Sequence, residues 1–168
     1  MGCKQRVSFQ GLNMSNLDAF LTTIAISELS QSLIDVSDNG YNVIVGSTPA
    51  HPDLFTSYSD HPRKLVDLGN GLESTAAGRY QILEHFYDAY KTILNLPDFS
   101  PTSQDKIAIQ LIKECGAIQD IEDGLIQDAI FKCRSRWASL PASPYGQHTN
   151  KLSDLLDAYE NAGGVIAT

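Results

Sequence analysis

Apolar residues recur at helical spacing early in the chain, at Leu17, Phe20, Leu21 and Ile24. At about 100° per residue they share one face. Ser15-Asn16-Leu17-Asp18 has the form of a capping box just ahead of them, so a first helix is predicted over residues 16–29. In the stretch "IAISELS" (24–30), Glu28 then falls in the middle of the apolar stripe. A buried, unpaired carboxylate is costly, so this residue needs a reason to be there.

The period changes after "QSLIDVSDNG", where Asp38-Asn39-Gly40 carries turn chemistry. "YNVIVG" (41–46) is β-branched and reads as a strand, and "LFTSYS" (54–59) reads as a second. Together they predict an antiparallel hairpin with a long connection marked by Pro49 and Pro52. Residues 60–78 are expected to be mostly loop, with short helical turns.

"GRYQILEHFYDAYKTIL" has two apolar stripes, one through Tyr80, Leu83, Tyr87, Tyr90 and Leu94, the other through Ile82, Phe86, Ala89 and Ile93. Apolar on two sides, it is predicted to be the central, buried helix, stopped by Pro97. Ser100 caps a further helix with Pro101 at its first position and Gly116 at its end. One continuous helix is predicted over residues 120–139, closed by Pro141, and a last one over 150–162 before Gly163-Gly164. The expected fold class is α+β, a mainly helical body with a small hairpin lobe.

With 168 residues and a hydrophobic fraction of 42%, the chain can bury a real core. Residues 1–14 read as a flexible N-terminal extension and 15–168 as a single domain. The 12 basic residues against 20 acidic ones give a net charge of -8. That argues against nucleic-acid binding and against a polybasic membrane surface. No apolar run reaches about 18 residues, so no membrane span is expected. "MGCKQRVSFQGLN" lacks the apolar segment of a secretory signal. Met1-Gly2 opens like a myristoylation signal, but Arg6 stands where Ser or Thr is needed. Cys3, Cys115 and Cys133 are too few and too scattered for a disulfide framework or a zinc site, and are expected to be free thiols of a reducing compartment.

Glu28 is the first chemical candidate. A carboxyl in an apolar cleft has its pKa raised by desolvation and can donate a proton to a leaving oxygen. "STAAGRYQ" (74–81) is the second, because small residues leading into a helix let a ligand approach backbone N–H groups. It lacks the spacing of a phosphate-binding loop, so nucleotide binding is not expected. Tyr41, Asn42, Tyr58, Gln81, Tyr145 and Gln147 place tyrosine rings beside amides, a combination that suits the faces and edges of a sugar polymer. His51, His61, His85 and His148 have no ligand spacing, so neither a metal nor a cofactor is expected.

These residues are embedded in longer stretches that resemble a known family. "SE" (27–28), "GYNVIVG" (40–46), "LFTSYSDHPRKLV" (54–66), "STAAGRYQ" (74–81), "DFSPTSQD" (98–105) and "WASLPASPYGQ" (137–147) occur in the order found in lambda-type phage endolysins. The resemblance covers residues from about 17 to 164. It implies a lysozyme-like fold with a cleft between a helical lobe and a small sheet lobe. It implies lytic transglycosylase activity on the β-1,4 bond between N-acetylmuramic acid and N-acetylglucosamine of peptidoglycan, leaving 1,6-anhydro ends. The family's catalytic glutamate falls on Glu28, and its cleft positions fall on Tyr41, Asn42, Tyr58, Ser59, Tyr80, Gln81, Tyr145 and Gln147. It further implies a monomer that waits in the host cytoplasm without stable membrane association, crosses by a holin pore and acts in the periplasm. The alternatives are a hydrolytic muramidase and a peptidoglycan-binding protein without activity.

The chain departs from the family pattern at four places, one of them the connection from Glu28 to Tyr41, which is shorter by about one residue. Leu29 and Ser30 stand where glycine and threonine are usual, and Leu29 is expected to narrow the cleft or alter the helix end. Asn42 replaces an aspartate, which leaves a hydrogen-bonding role but not a charged one. Residues 47–53 lengthen the hairpin connection and are expected to form a lip over the glycan.

Overall fold

The computed structural model describes residues 15–146 and 149–168. Helix α1 (Asn16–Leu29) starts on the expected capping box: the Ser15 hydroxyl accepts from Asp18 N, and the Asp18 carboxylate accepts from Ser15 N. Its burial goes far beyond one stripe. Ala19, Phe20, Ile24 and Ala25 are fully enclosed, and Leu21 and Leu29 nearly so. Thr23, also enclosed, satisfies its hydroxyl on the Ala19 carbonyl at 2.9 Å.

The central helix is therefore α1, not the segment around residue 87. After the short α2 (Gln31–Asp35), the next helix along the chain is α3 (Glu84–Ile93), which begins several residues later than expected. It buries only Tyr87 and Tyr90, while Ile93 is 67% exposed. Gly78 and Gln81 both have positive φ, 80° and 49°, so residues 78–82 make a tight turn that cannot be helical. The Gln81 side-chain amide donates to the Gly78 carbonyl at 2.9 Å and closes that turn.

The predicted hairpin exists only in rudiment. Val43–Val45 is a central extended segment with a different neighbour on each side. Ile44 N donates to Asp53 O and Phe55 N to Asn42 O, while Val45 N donates to Ala76 O and Gly78 N to Val43 O. Single bridges result, at Val43–Leu54 and Ile44–Ala77, rather than a ladder. Gly40 and Gly46, with φ of 84° and 82°, bend the chain at both ends and keep the segment short. The one strand ladder among the described residues lies in the expected loop: β1 (Val66–Asp67) pairs antiparallel with β2 (Glu73–Ser74) around Gly69-Asn70-Gly71. The connection at 47–53 is fastened at its base, because the Ser47 hydroxyl donates to Ile44 O and accepts from Asp53 N.

Helix α4 (Pro101–Glu114) follows the Ser100 cap as expected. The single helix expected over 120–139 is instead two, α5 (Ile118–Glu122) and α6 (Ile126–Cys133). Gly124 separates them at φ 76°, and a Cβ there would meet Val165 O at 2.8 Å and Ala167 N at 2.7 Å. The C-terminal segment presses on the break and donates a hydrogen bond to it, Ala167 N to Gly124 O at 3.0 Å. Helix α7 (Leu152–Asn161) packs along α1. The sum is the α+β, mainly helical architecture that the sequence predicts.

Candidate active site

Helix α1 stops abruptly. Ser30 has φ 69° and ψ 153°, donates its N–H back to Ile26 O, and caps α2 through its hydroxyl. A non-glycine residue rarely adopts that backbone, and such strain concentrates at functional sites. The reversal separates two neighbours. Leu29 turns toward the core, where a Cβ on Gly40 would lie only 2.6 Å from its Cδ1. Glu28, half-buried, stays at the rim of a pocket of about 450 Å³. Ile26, Leu29 and Ala138 give it apolar walls, and Ser27, Ser30, Ser139 and Asn150 give it polar ones.

The Ser139 hydroxyl donates to one oxygen of the Glu28 carboxyl. Ser27 Oγ lies 2.6 Å from Ser139 Oγ, and the Asn150 amide donates to Ser27 Oγ at 3.2 Å, to the Ser27 carbonyl at 3.0 Å and to the Ser139 carbonyl at 3.1 Å. Donation is directional here. A hydroxyl has one proton, so Ser139, giving its own to Glu28, accepts from Ser27, and Ser27 accepts from Asn150. Burial raises the Glu28 pKa above the ordinary carboxyl value, and the hydrogen bonds from Ser139 oppose that rise. Desolvation is the larger effect.

The residues expected along the cleft fall into separate groups. Tyr41 and Tyr80 donate to the same oxygen of Asp105, at 2.9 and 2.6 Å, with their rings edge to face. Burial and Asp105 push the Tyr41 phenol up to about 12, so it remains a donor. Tyr80 is nearly enclosed. Asn42 and Tyr58 meet through Asp38, whose N–H donates to Asn42 Oδ1 and whose carboxylate accepts from the Tyr58 hydroxyl at 2.6 Å. Gln81 serves its own turn, and the exposed Ser59 bonds with Ser57. Tyr145 is 57% exposed and donates to Ser135 O at 2.7 Å. Gln147 lies outside the described residues. None of the expected partners that are described hydrogen-bonds Glu28.

The small residues of "STAAGRYQ" have a structural cause. Gln104, fully enclosed on α4, sits where a Gly78 Cβ would be, 2.2 Å from its Oε1. That oxygen accepts from Arg79 N at 2.9 Å, and the Gln104 amide donates to Tyr41 O and Phe99 O. The N–H groups of Ala76, Ala77, Gly78, Arg79 and Gln81, in the stretch expected to meet a ligand, are taken by the protein itself.

The endolysin family profile matches residues 18–166. The chain belongs to the endolysin family. Two endolysins are similar over nearly their whole lengths. That of Escherichia phage lambda is 49% identical over 149 residues, 88% of this chain and 91% of the relative; that of Escherichia phage P2 is 46% identical over 157 residues, 90% and 95% respectively. A structure of bacteriophage lambda lysozyme complexed with a chitohexasaccharide superposes with a TM-score of 0.85 at 46% identity, covering 94% of this chain and all of that one. A second lambda lysozyme structure gives 0.77 at 44% identity, with the same coverage. Endolysins are peptidoglycan-degrading enzymes, and the lysozyme-like fold is the one the sequence resemblance implies. The residues that sequence reasoning passed over in this endolysin are Ser139 and Asn150. Ser139 lies inside the matched stretch "WASLPASPYGQ", and the only hint of its role was that a carboxyl in an apolar setting requires a donor.

Proposed function

We propose that this endolysin is a lytic transglycosylase, with Glu28 as the single acid–base group and residues 15–168 as its catalytic domain. One observation carries the reading: among the described residues, Glu28 is the only carboxyl lining its pocket. Of the other nearby acids, Asp38 is engaged by Tyr58 and Asp60 by Arg63, and neither Asp35 nor Glu73 lines the pocket. Two-carboxylate glycosidases need a partner within roughly 5–9.5 Å of the acid.

With one acid, the chemistry runs in two halves. Glu28 protonates the glycosidic oxygen and the bond to the anomeric carbon breaks, leaving an oxocarbenium-like centre. The carboxylate, now charged, takes the proton from the C6 hydroxyl of the same muramic residue. The C6 oxygen bonds to the anomeric carbon and the acid is restored. The glycan is held by Tyr41, Asn42, Tyr58, Ser59, Tyr80, Gln81, Tyr145 and Gln147. Within that set the Asn42 amide nitrogen and the Ser59 hydroxyl keep polar capacity for sugar hydroxyls, while Tyr80 acts by fixing Asp105 and Tyr41. The chitohexasaccharide bound by the lambda lysozyme supports a polymeric amino-sugar ligand. No helix among the described residues is long and apolar enough to cross a membrane. We place the enzyme in the host cytoplasm until a holin pore releases it, as a monomer acting in the periplasm.

Mass spectrometry of soluble products from purified peptidoglycan tests the reading. Anhydro ends, lighter by one water than reducing ends, are expected. Products carrying only reducing ends would establish a hydrolytic muramidase instead, and an intact substrate that still binds the protein would establish a binding module.

A further inference from the structure

Two of the three cysteines meet outside the active site. Cys115 is the C-cap of α4 and half-buried; Cys133 is the last residue of α6 and fully enclosed. Both are free, and each thiol is close enough to bear on the other's titration. Their flanks are tied to one another on both sides. Lys132, next to Cys133, donates to the carbonyl of Gly116, next to Cys115, at 3.3 Å. Arg136 pairs with Glu114, the other neighbour of Cys115, at 3.2 Å. Two helix ends, each carrying one cysteine, are thus tied together on both flanks of the pair.

We propose that Cys115 and Cys133 are a thiol–disulfide pair, in which Cys115 reacts first with an exogenous disulfide and Cys133 resolves it into an internal bond. The two thiols are unequal in the way this order requires. The hydrogen bond from Cys133 and the Arg136 guanidinium hold Cys115 down at about 7, which favours its thiolate. Its partner and burial push Cys133 well above the usual thiol range. Cys115 is also the more accessible of the two.

The exchange balances with a small-molecule disulfide such as oxidised glutathione as oxidant. The Cys115 thiolate attacks one of its sulfurs, a mixed disulfide forms and one glutathione thiolate leaves. Cys133 then attacks Cys115 Sγ, the second glutathione leaves as a thiol, and the two thiol protons pass to the two departing groups. The new bond would fasten α4 to the end of α6, directly before the turn in which the Cys133 carbonyl accepts from Arg136 N and Trp137 N. That turn leads to Ser139. The inference rests on the pair itself and not on the glycan-cleaving reading.

The test uses the full chain carrying Cys3→Ser, so that only the pair can react. Folded protein is equilibrated in glutathione buffers of rising oxidised fraction, quenched with iodoacetamide and examined as intact protein and as peptides. A species lighter by two hydrogens with a linked 115–133 peptide is expected, with an upward shift in Tm that dithiothreitol reverses. Cys133→Ser is expected to hold a stable mixed disulfide at Cys115, and Cys115→Ser to leave Cys133 unmodified. As a check independent of substitution, limited alkylation of the reduced Cys3→Ser chain should label Cys115 before Cys133. Folded protein that stays a dithiol in oxidised glutathione, that collects glutathione without an internal link, or that is alkylated first at Cys133 overturns the proposal.

Discussion

The Ser139 hydroxyl and the Glu28 carboxyl form a directed pair: the serine gives its proton and the carboxyl oxygen receives it. With the Ser139 proton committed to Glu28, Ser139 accepts from Ser27, and Ser27 accepts from the Asn150 NH2 group. If the order were reversed, the Ser27 proton would need an acceptor other than the Asn150 NH2 group facing it, which only donates. The oxygen of Glu28 that faces Ser139 is the acceptor, which leaves the other carboxyl oxygen as the place for a proton when Glu28 is protonated.

Ser139→Ala should move the pH profile in a defined sense. The Ser139 hydroxyl and backbone N–H both lower the Glu28 pKa; alanine keeps the second and removes the first, the larger of the two, so burial raises it further. The basic limb of kcat/KM, where the acid loses its proton, is expected to shift to higher pH, with kcat falling about tenfold as the carboxyl loses its orientation. Ser139→Thr keeps the hydroxyl and should restore the limb. A fall in activity with no movement of the limb would mean that Ser139 is only a packing residue.

Glu28→Gln should leave the fold intact and remove the chemistry. The amide is close in shape, yet it cannot protonate a leaving oxygen or accept a proton afterwards. Since a positioned general acid contributes about 10²–10⁴ in rate, turbidity clearance of a cell-wall suspension should fall by at least that range. Binding to insoluble peptidoglycan, followed by sedimentation, should be unchanged. Clearance at the parental rate would remove Glu28 from the mechanism.

His61 gives the enzyme an acid-sensitive core. Its ring is nearly enclosed, with Nδ1 accepting from Arg63 N and Nε2 at 2.9 Å from the Ile82 carbonyl. Those two partners fix the neutral tautomer with its proton on Nε2. Burial is the main cause of its lowered pKa, and Arg63 adds to it. The unfolded chain thus binds this proton more readily than the folded one, so stability is complete above the ordinary histidine value of 6.5 and is lost as pH falls below it. The Asp60 carboxylate, held at about 2 by Arg63, contributes a separate loss that begins only below its ordinary 3.8. Urea unfolding midpoints measured between about pH 8 and pH 5 should decline through the first window. A flat midpoint there would show that His61 accepts its proton without cost.

The parts of this endolysin that could be read from sequence are those whose causes are local. The Ser15–Asp18 box, the Ser100 cap and the stripe of α1 all act within a turn or two of the residues that reveal them. The misreadings have distant causes. Gly124 breaks a helix because Val165–Ala167 needs the space, far along the chain. The segment Val43–Val45 has β-branched residues but divides its pairing between two neighbours, which no single run displays. Glu28 stood out because charge broke an apolar pattern. Ser139 did not, because a serine in a loop breaks no pattern, and only the fold brings it to the end of α1. Leu29 both lines the Glu28 pocket and packs against Gly40, a contact with a residue eleven positions along that its own helix does not reveal.

Gly78 offers the sharpest test of how α4 positions the loop that carries Tyr80. Its φ of 80° alone makes alanine unfavourable, and a Cβ would also run into Gln104 Oε1 at 2.2 Å. Gln104 cannot swing away cheaply, because its oxygen holds Arg79 N and its amide holds two carbonyls in an enclosed site. Gly69 has a comparable φ of 87° but nothing within 4 Å of a Cβ, so it isolates the backbone cost. Gly69→Ala should destabilise by about 1 kcal/mol, and Gly78→Ala by about 3 kcal/mol or more, as strain and overpacking combine. Denaturant unfolding of both variants measures the difference directly. Equal losses would mean that Gln104 yields freely, and that the turn from Gly78 to Ile82 is held by its own backbone rather than by α4.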